Sequence, residues 1–508
     1  MSPAKTFFVE NFGCRATEAD AAALRGGLLA KGLAHSAHPA QADVVVLNTC
    51  TVTAAADSQA REAVRKIHRA NPAARIVVTG CYAQRAPDEL RSLDGVAYVI
   101  GNARQSEIPA LIDRECRTAR LSGENGPRDF VPVKQLARPS EVGLEDATLS
   151  FAQGPAKVLT GDISAQARVQ LAPARLMAGG CTRPILKIQD GCNNRCAYCV
   201  IPFVRGRSRS LSPDTVVLEV RELVAAGAKE IVLSGINLGS YGRDLTPRAD
   251  LAAVVRRILE ETSLDHLRFS SIEPQDVTED FVALVASSAR LAPHFHVPLQ
   301  SGSDRTLKAM HRWYRSELYA ERVGVIRRLL PDAAIGGDLI VGFPGETDDD
   351  FRATFDFVGR LPFTYLHVFS FSTRPGTEAE KLGACVPPLA IGERARALRA
   401  LSTQKGAAFR AGQVGRPVRA LTLARNTDGW TEALTPNYLK VRIAGRHPAN
   451  QWHEIRISSE QNLAYPAGSG SAFKNHLGES EVAAVGNGEG NILNAEAVGQ
   501  LPGDACEI

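Results

Sequence analysis

No stretch of this 508-residue chain approaches the ~18 consecutive apolar residues of a membrane span. Its first residues, MSPAKTFFVENFGC, lack the positive start and long apolar run of a secretory leader. Neither sign of charge dominates: 59 Lys and Arg against 55 Asp and Glu leave a formal +4. That balance permits a nucleic-acid partner without demanding one. The ten cysteines thus belong to a chain expected to be cytoplasmic, where clustered thiols serve metal or redox chemistry rather than disulfides. What is present is the makeup of an ordinary globular protein, 44% hydrophobic and 22% charged. The length suits about three domains at roughly 150 residues each.

Residues 1–116 alternate short β-branched runs with helical stretches over 18–31 and 55–69. Phe7-Phe8-Val9 leads to Cys14, the run 43–49 ends on Cys50, and 75–80 ends on Cys81. Apolar runs joined by helices predict an α/β domain, a flavodoxin-like parallel sheet covered on both faces. Ligands of such sheets gather outside the carboxyl ends of the strands, so Cys14, Cys50 and Cys81 should converge on one edge. A single strand-end thiol would be an ordinary buried cysteine; three in register point to a ligand set. Cys116, Cys181, Cys385 and Cys506 follow no such pattern and read as structural. Residues 117–182 break the periodicity with turn signals at 123–127 and 138–140 and an Ala/Gln-rich run near 165–174. They read as a linker carrying one short helix or hairpin at most.

Residues 183–405 alternate strands and helices six times. The expected strands are 185–189, 230–234, 267–271, 294–298, 334–340 and 364–369. Helical patterns separate them, for example 213–226 (Ser212 as N-cap, Pro213 in the first turn) and 316–330. Six βα units predict a partial (βα)6 barrel with active residues on the carboxyl-end loops. The first such loop is densest in chemistry: Cys192, Cys196 and Cys199 stand in C-x3-C-x2-C spacing, with Tyr198 before the last. Three thiolates on one loop can hold three corners of a cubane iron–sulfur cluster, leaving one iron free to chelate a small molecule. A structural zinc site would pair two C-x2-C hooks or add His at set spacing, and no second hook lies near. The later loops carry 235–237, 271–273, 300–303, 342–346 and 370–377. Each alone reads as a turn, and their shared location is what raises them.

Residues 406–508 change to strand-like alternation with Gly-rich turns, as expected of a small β-barrel followed by a turn-rich tail over 479–508. In 437–443, NYLKVRI, Leu439, Val441 and Ile443 fall on one face and Tyr438, Lys440 and Arg442 on the other. An aromatic among cations suits single-stranded nucleic acid, although for this segment alone a solvated strand face of a small β-barrel is the better reading. Arg205, Arg207 and Arg209, and the run His311-Arg312-Trp313-Tyr314-Arg315, become reasonable RNA contacts beside an active site.

Taken together these motifs resemble the radical S-adenosylmethionine (SAM) methylthiotransferase family. The resemblance rests on NTCTVT at 48–53, TGCYAQ at 79–84, LKIQDGCNNRCAYCVIP at 186–202, EIVLSGI at 230–236 and SSIEP at 270–274. HVPLQSGS at 296–303, DLIVGFPGET at 338–347 and LHVFSFSTRPGT at 366–377 complete it. It covers about residues 5–405, and more loosely a C-terminal barrel like the family's TRAM domain. Thr51-Val52-Thr53 after Cys50 fits the branch acting on threonylcarbamoyladenosine at position 37 of tRNA, 3′ of the anticodon. Siblings act on isopentenyladenosine or on a ribosomal protein. The resemblance implies two 4Fe–4S clusters. Cys192, Cys196 and Cys199 would hold the one that binds SAM and generates a 5′-deoxyadenosyl radical. Cys14, Cys50 and Cys81 would hold an auxiliary cluster presenting the sulfur. Tyr198, Glu273, Gln300, Ser301 and Asp338 become cofactor-contact candidates, with Glu273 on the ribose. The implied partners are the tRNA anticodon loop, SAM and an electron donor such as a flavodoxin or ferredoxin, with no membrane. Where relatives carry Asn this chain has Thr17, its connection before Cys181 is longer, and its C-terminal region is extended. A rival from another class is a non-catalytic iron–sulfur RNA-binding protein or redox sensor, which would need neither 271–273 nor 300–303.

Overall fold

The computed structural model describes residues 5–123, 156–166, 169, 182–427, 429–458 and 463–466. The readings of Cys181, Cys506, the turn at 138–140 and the tail over 479–508 lie outside the described residues. The first sheet is built around β3 (Val44–Thr49), buried at every position. It pairs in parallel with β1 (Thr6–Asn11) on one side and β4 (Arg75–Gly80) on the other. A continuous Val-Val-Val-Leu run suits such a strand, because helices cover both faces of a parallel sheet. β2 (Ala34–His35), β5 (Val96–Gly101) and β6 (Lys157–Leu159) complete the order β2-β1-β3-β4-β5-β6, parallel throughout. Successive residues go to opposite cores, Val45 and Leu47 to one and Val44 and Val46 to the other. β6 lies within the stretch read as a linker: three residues of edge strand carry too little pattern to show in the sequence. α1 (Arg15–Ala30) follows β1, and α2 (Ala54–Ala70) follows β3 with the Thr53 hydroxyl accepting from the Ala56 amide at 3.2 Å.

Six further parallel strands form a partial barrel: β7 (Ile185–Asp190), β9 (Glu230–Gly235), β10 (His266–Phe269), β11 (His294–His296), β12 (Ala334–Val341) and β13 (Tyr365–Ser370). The two-residue β8 (Arg209–Ser210) edges β7 antiparallel. The wall falls into the sheets β10-β9-β7-β8 and β11-β12-β13. A bridge between Leu267 and Leu291, and the Ile272 amide donating to the His296 carbonyl at 2.9 Å, join them. All six strands lie where the sequence places them, with ends shifted by at most a few residues. The helix Pro213–Ala225 starts under the expected cap, Ser212 Oγ accepting from the Thr215 amide at 3.2 Å.

After the long helix Pro388–Ala411, a closed barrel runs β14 (Pro417–Thr427), β15 (Trp430–Leu434), β16 (Lys440–Ala444), then β18 (Leu463–Pro466) and β17 (Trp452–Ile457) in the order β14-β15-β16-β18-β17. Leu439, Val441 and Ile443 are buried as expected, and Lys440 and Arg442 are exposed. Tyr438 corrects the sequence reading. It precedes β16 with φ +67°, which breaks the strand alternation, and its ring turns inward to stack on His294 at 4.2 Å and 20°. No aromatic–cation stripe therefore exists on that face.

Candidate active site

Adjacent strands β1, β3 and β4 set down Cys14, Cys50 and Cys81 on one carboxyl edge, as parallel topology requires. Asn48 ties their loops together. Its Nδ2 donates to Asn11 Oδ1 at 3.1 Å and the Thr17 carbonyl at 2.7 Å, and its Oδ1 accepts from Gln105 Nε2 at 3.1 Å. Gly13, at φ +148°, leaves room beside a thiol: a Cβ there would lie 2.7 Å from Cys50 Cβ and 3.3 Å from Cys50 Sγ. Cys50 and Cys81 are buried, Cys14 is exposed, and all three are free thiols. Burial, then the neighbouring Cys14 and Cys81, push the Cys50 thiol up to about 12. Burial raises Cys81 too, with Arg205 and the Asn102 amide pulling the other way. Thiols that oppose one another's ionisation, with one open to solvent, fit a positively charged metal group, because metal binding displaces their protons.

The second trio lies on the loop after β7. Buried Gln189 secures that loop, its Nε2 donating to the Gly191 carbonyl at 2.7 Å while its Oε1 accepts from the Asn237 amide at 2.8 Å. Burial, then Cys196, push Cys199 up to about 12, and burial raises Cys192. Arg312 brings positive charge to the thiols. Its Nη1 lies 3.3 Å from Cys196 Sγ, and its Nη2 pairs with Glu273. Burial pushes the Glu273 carboxyl up, while Arg312 beside it favours the ionised form. The donor set, its cationic neighbour and the buried, unpartnered Asn237 Oδ1 fit a polar cofactor on this loop.

One short segment links the two trios, with Asn102 as the intermediary to the first. Asn102 Nδ2 reaches Cys81 Sγ at 3.5 Å and donates to the Val204 carbonyl at 2.9 Å. Two residues on, the Gly206 carbonyl accepts from the Cys192 amide at 3.1 Å. Between them Arg205 enters a buried ion cluster joining α1 to β7. Its Nη2 meets Asp20 at 2.7 Å and its Nη1 meets Asp190 at 3.1 Å, while Lys187 bridges the same two carboxylates. Arg209 reaches Asp190 at 3.3 Å. Burial disfavours the Asp190 charge, yet Lys187, Arg205 and Arg209 hold its carboxyl well below the usual range.

The cofactor-contact candidates separate. Tyr198 packs with Ala197, Met310 and Phe343, and Glu273 stands beside the cysteine loop through Arg312. Gln300, at φ +67°, donates its amide to the Asp338 carbonyl at 2.7 Å. Asp338 faces the barrel lumen, with His296 Nε2 3.1 Å from its Oδ1 and His367 close by. Burial works against that carboxylate, but His296, His367 and Arg15 hold it below its usual range. Ser301 is not brought to this group: it is buried, its Oγ 3.1 Å from Thr354 Oγ1. Among the cations read as RNA contacts, Arg205 and Arg209 are consumed by the buried cluster and Arg312 by Glu273 and Cys196, while Tyr314 is buried. Arg207, His311, Trp313 and Arg315 remain exposed. Sequence reasoning assigned Arg312 to RNA rather than to Cys196 and Glu273, and missed Asn48 and the Asp20–Lys187 pair. The available signal was a lysine between Leu186 and Ile188 in an apolar strand.

The fold and this loop define the class. The model of the Radical SAM superfamily matches residues 186–358, and that of Uncharacterized protein family UPF0004 matches residues 6–101. The threonylcarbamoyladenosine tRNA methylthiotransferase MtaB of Aquifex aeolicus is 35% identical over 86% of this chain and 96% of that protein. The tRNA-2-methylthio-N(6)-dimethylallyladenosine synthase of Acidothermus cellulolyticus is 34% identical over 89% of this chain and 83% of that protein. Among solved structures, the radical SAM methyltransferase TsrM from Kitasatospora setae aligns at TM-score 0.48 and 17% identity, over 74% of this chain and 77% of that one. The chain belongs to the radical SAM tRNA methylthiotransferases. It is a radical SAM transferase, and the family implies a 4Fe–4S cluster and SAM. No helix among the described residues is long and apolar enough to cross a membrane.

Proposed function

We propose that this enzyme converts N6-threonylcarbamoyladenosine at position 37 of tRNA to its 2-methylthio derivative. The supporting observation is the pair of cysteine trios, Cys14/Cys50/Cys81 and Cys192/Cys196/Cys199, joined through residues 204–206, which bond Cys192 directly and Cys81 by way of Asn102. When bound there, two 4Fe–4S clusters would supply the electron that cleaves SAM and the sulfur to be inserted. The chain's own groups do the holding. Arg312 sets a positive charge against Cys196 and orients Glu273 for a SAM hydroxyl, and Gln300 and Asp338 offer polar contacts at the lumen. Ring carbon 2 of adenine is no acid at neutral pH, so a general base alone would not activate it. Exposed Arg207, His311, Trp313, Arg315, Lys440 and Arg442 suit phosphate and stacking contacts with an anticodon loop. The electron donor would be external, a flavodoxin or ferredoxin. Thr51-Val52-Thr53 and the name of the Aquifex relative favour the threonylcarbamoyl substrate over its dimethylallyl counterpart.

Nucleoside mass spectrometry on tRNA from cells with and without the gene tests the reading. Loss of 2-methylthio-threonylcarbamoyladenosine with accumulation of its precursor is expected; loss of the isopentenyl counterpart instead would overturn the substrate. The anaerobically reconstituted protein should hold about eight irons, two cubanes. A Cys14→Ala/Cys50→Ala/Cys81→Ala variant should keep about half of them, and full retention would remove the second cluster from this trio.

A further inference from the structure

Arg15 stands directly after Cys14 and reaches out of its own domain. Its Nη1 lies 3.5 Å from the Phe269 carbonyl at the end of β10, and its Nη2 3.2 Å from the Tyr438 hydroxyl of the C-terminal barrel. Both acceptors are neutral, and the first is at the outer limit of a hydrogen bond. Among the described residues Arg15 makes no ion pair, although its side chain is half-buried where three domains meet. Guanidinium groups in such places ordinarily find a carboxylate.

Among the described residues, the carboxylates near it are already engaged by other groups. Arg183 and Arg268 flank the same Tyr438 ring, at 6.0 and 5.3 Å, with Arg15 at 5.8 Å. Those two share one carboxylate, Glu230, at 2.7 and 2.9 Å. The lumen carboxylate Asp338 is already engaged by His296. Burial pushes the Tyr438 phenol up, but the guanidiniums of Arg15, Arg183 and Arg268 around it outweigh that and hold it below its usual value. From here β13 lines the lumen with Tyr365, His367 and Phe369 at alternate positions. The Tyr365 ring lies 6.0 Å from that of Tyr438 and 5.4 Å from that of His367.

We propose that Arg15 binds the carboxylate of the substrate base's N6 arm and so selects a threonylcarbamoyl arm over a hydrocarbon one. The inference rests on the reading under Proposed function. In adenine, carbon 2 and the N6-bearing carbon flank the same ring nitrogen, so an arm on N6 lies within a few bonds of the carbon that receives sulfur. A cation next to a cysteine of the sulfur-bearing trio is placed to hold one while the other reacts. A guanidinium–carboxylate contact is charge-assisted and bidentate. A hydrocarbon arm would leave the guanidinium desolvated without a partner, which is how a polar subsite rejects an apolar analogue.

The test uses the full-length, cluster-loaded protein and anticodon stem-loops differing only in the arm: threonylcarbamoyl, the same arm with its carboxylate converted to amide, and isopentenyl. Binding is read by fluorescence anisotropy. Wild type should prefer the acid over the amide by about tenfold or more. Arg15→Gln should bring the two within about twofold, and Arg15→Lys should recover part of the preference, with iron content confirming an intact Cys14 loop. Equal affinity of wild type for acid and amide would overturn the proposal, as would an Arg15→Gln variant that keeps the preference. If wild type instead binds and methylthiolates only the isopentenyl loop, the substrate reading itself falls and this inference with it.

Discussion

Thr51, Val52 and Thr53 follow Cys50 directly, yet only one of them faces out. Thr51 Oγ1 accepts from Arg85 Nε at 2.8 Å, and its carbonyl accepts from Arg374 Nη1 at 3.1 Å. Thr53 caps α2. Val52 is 51% exposed, so any reading of substrate by this triplet passes through a single side chain. His294 shows a comparable division between local and long-range causes. Burial first, then Arg268 and Arg15, hold its imidazole well below 6.5, and its Nε2 meets the Tyr365 hydroxyl at 2.8 Å. The unfolded chain therefore takes up this proton first, and stability is lost as pH falls below about 6.5. His294→Phe keeps a ring against Tyr438 without the titration. The drop in Tm between about pH 7.5 and 5.5 should be shallower in the variant than in wild type, and parallel Tm profiles would contradict the assignment.

At the scale of elements, strands decide where the thiols go. Gly80 ends β4 at φ +97°, and a Cβ there would meet the Thr49 carbonyl oxygen of β3 at 2.3 Å. Gly80→Ala should thus cost about 1–3 kcal/mol from overpacking and left-handed strain together. It should also displace Cys81, which thermal melts and iron analysis of the reconstituted variant would show as a lower Tm and loss of the iron proposed for Cys14, Cys50 and Cys81. Strands were legible because parallel strands buried on both faces are written as unbroken apolar runs, as in 44–47, and their carboxyl ends mark the ligand edge. The strand at 157–159 was not, since three edge residues carry no period. Tyr438 was misplaced because alternation assumes extended backbone up to the strand's first residue, and a left-handed turn residue voids it.

For the whole molecule, the buried cluster of Asp20, Lys187, Asp190, Arg205 and Arg209 joins the sheet domain to the partial barrel, and so one cysteine trio to the other. Asp20→Leu leaves Lys187, Arg205 and Arg209 to share the single carboxylate of Asp190 in a buried site. Removing one partner of such a buried set should cost about 3–5 kcal/mol. Urea unfolding of wild type and variant measures it, and a change under about 1 kcal/mol would mean that the cluster is not buried as described. Asp190 adds a pH limb with a definite sign. Its folded value is depressed, so its contribution is present above the ordinary carboxylate range and is lost as pH falls through and below it.

The amino-acid sequence by itself determined the six cysteines, the two sheets that carry them and the family. These depend on local period and spacing, which neighbouring residues encode directly. Only the tertiary structure decided which charges are solvated. Lys187, Arg205 and Arg209 look like surface cations one residue at a time, and they are buried because α1 of another domain brings Asp20 to them. Arg15 differs from these for the same reason: its partners come from β10 and from the turn before β16, more than 250 and 420 residues away along the chain. Electrostatic roles follow distance in space, which no local pattern records.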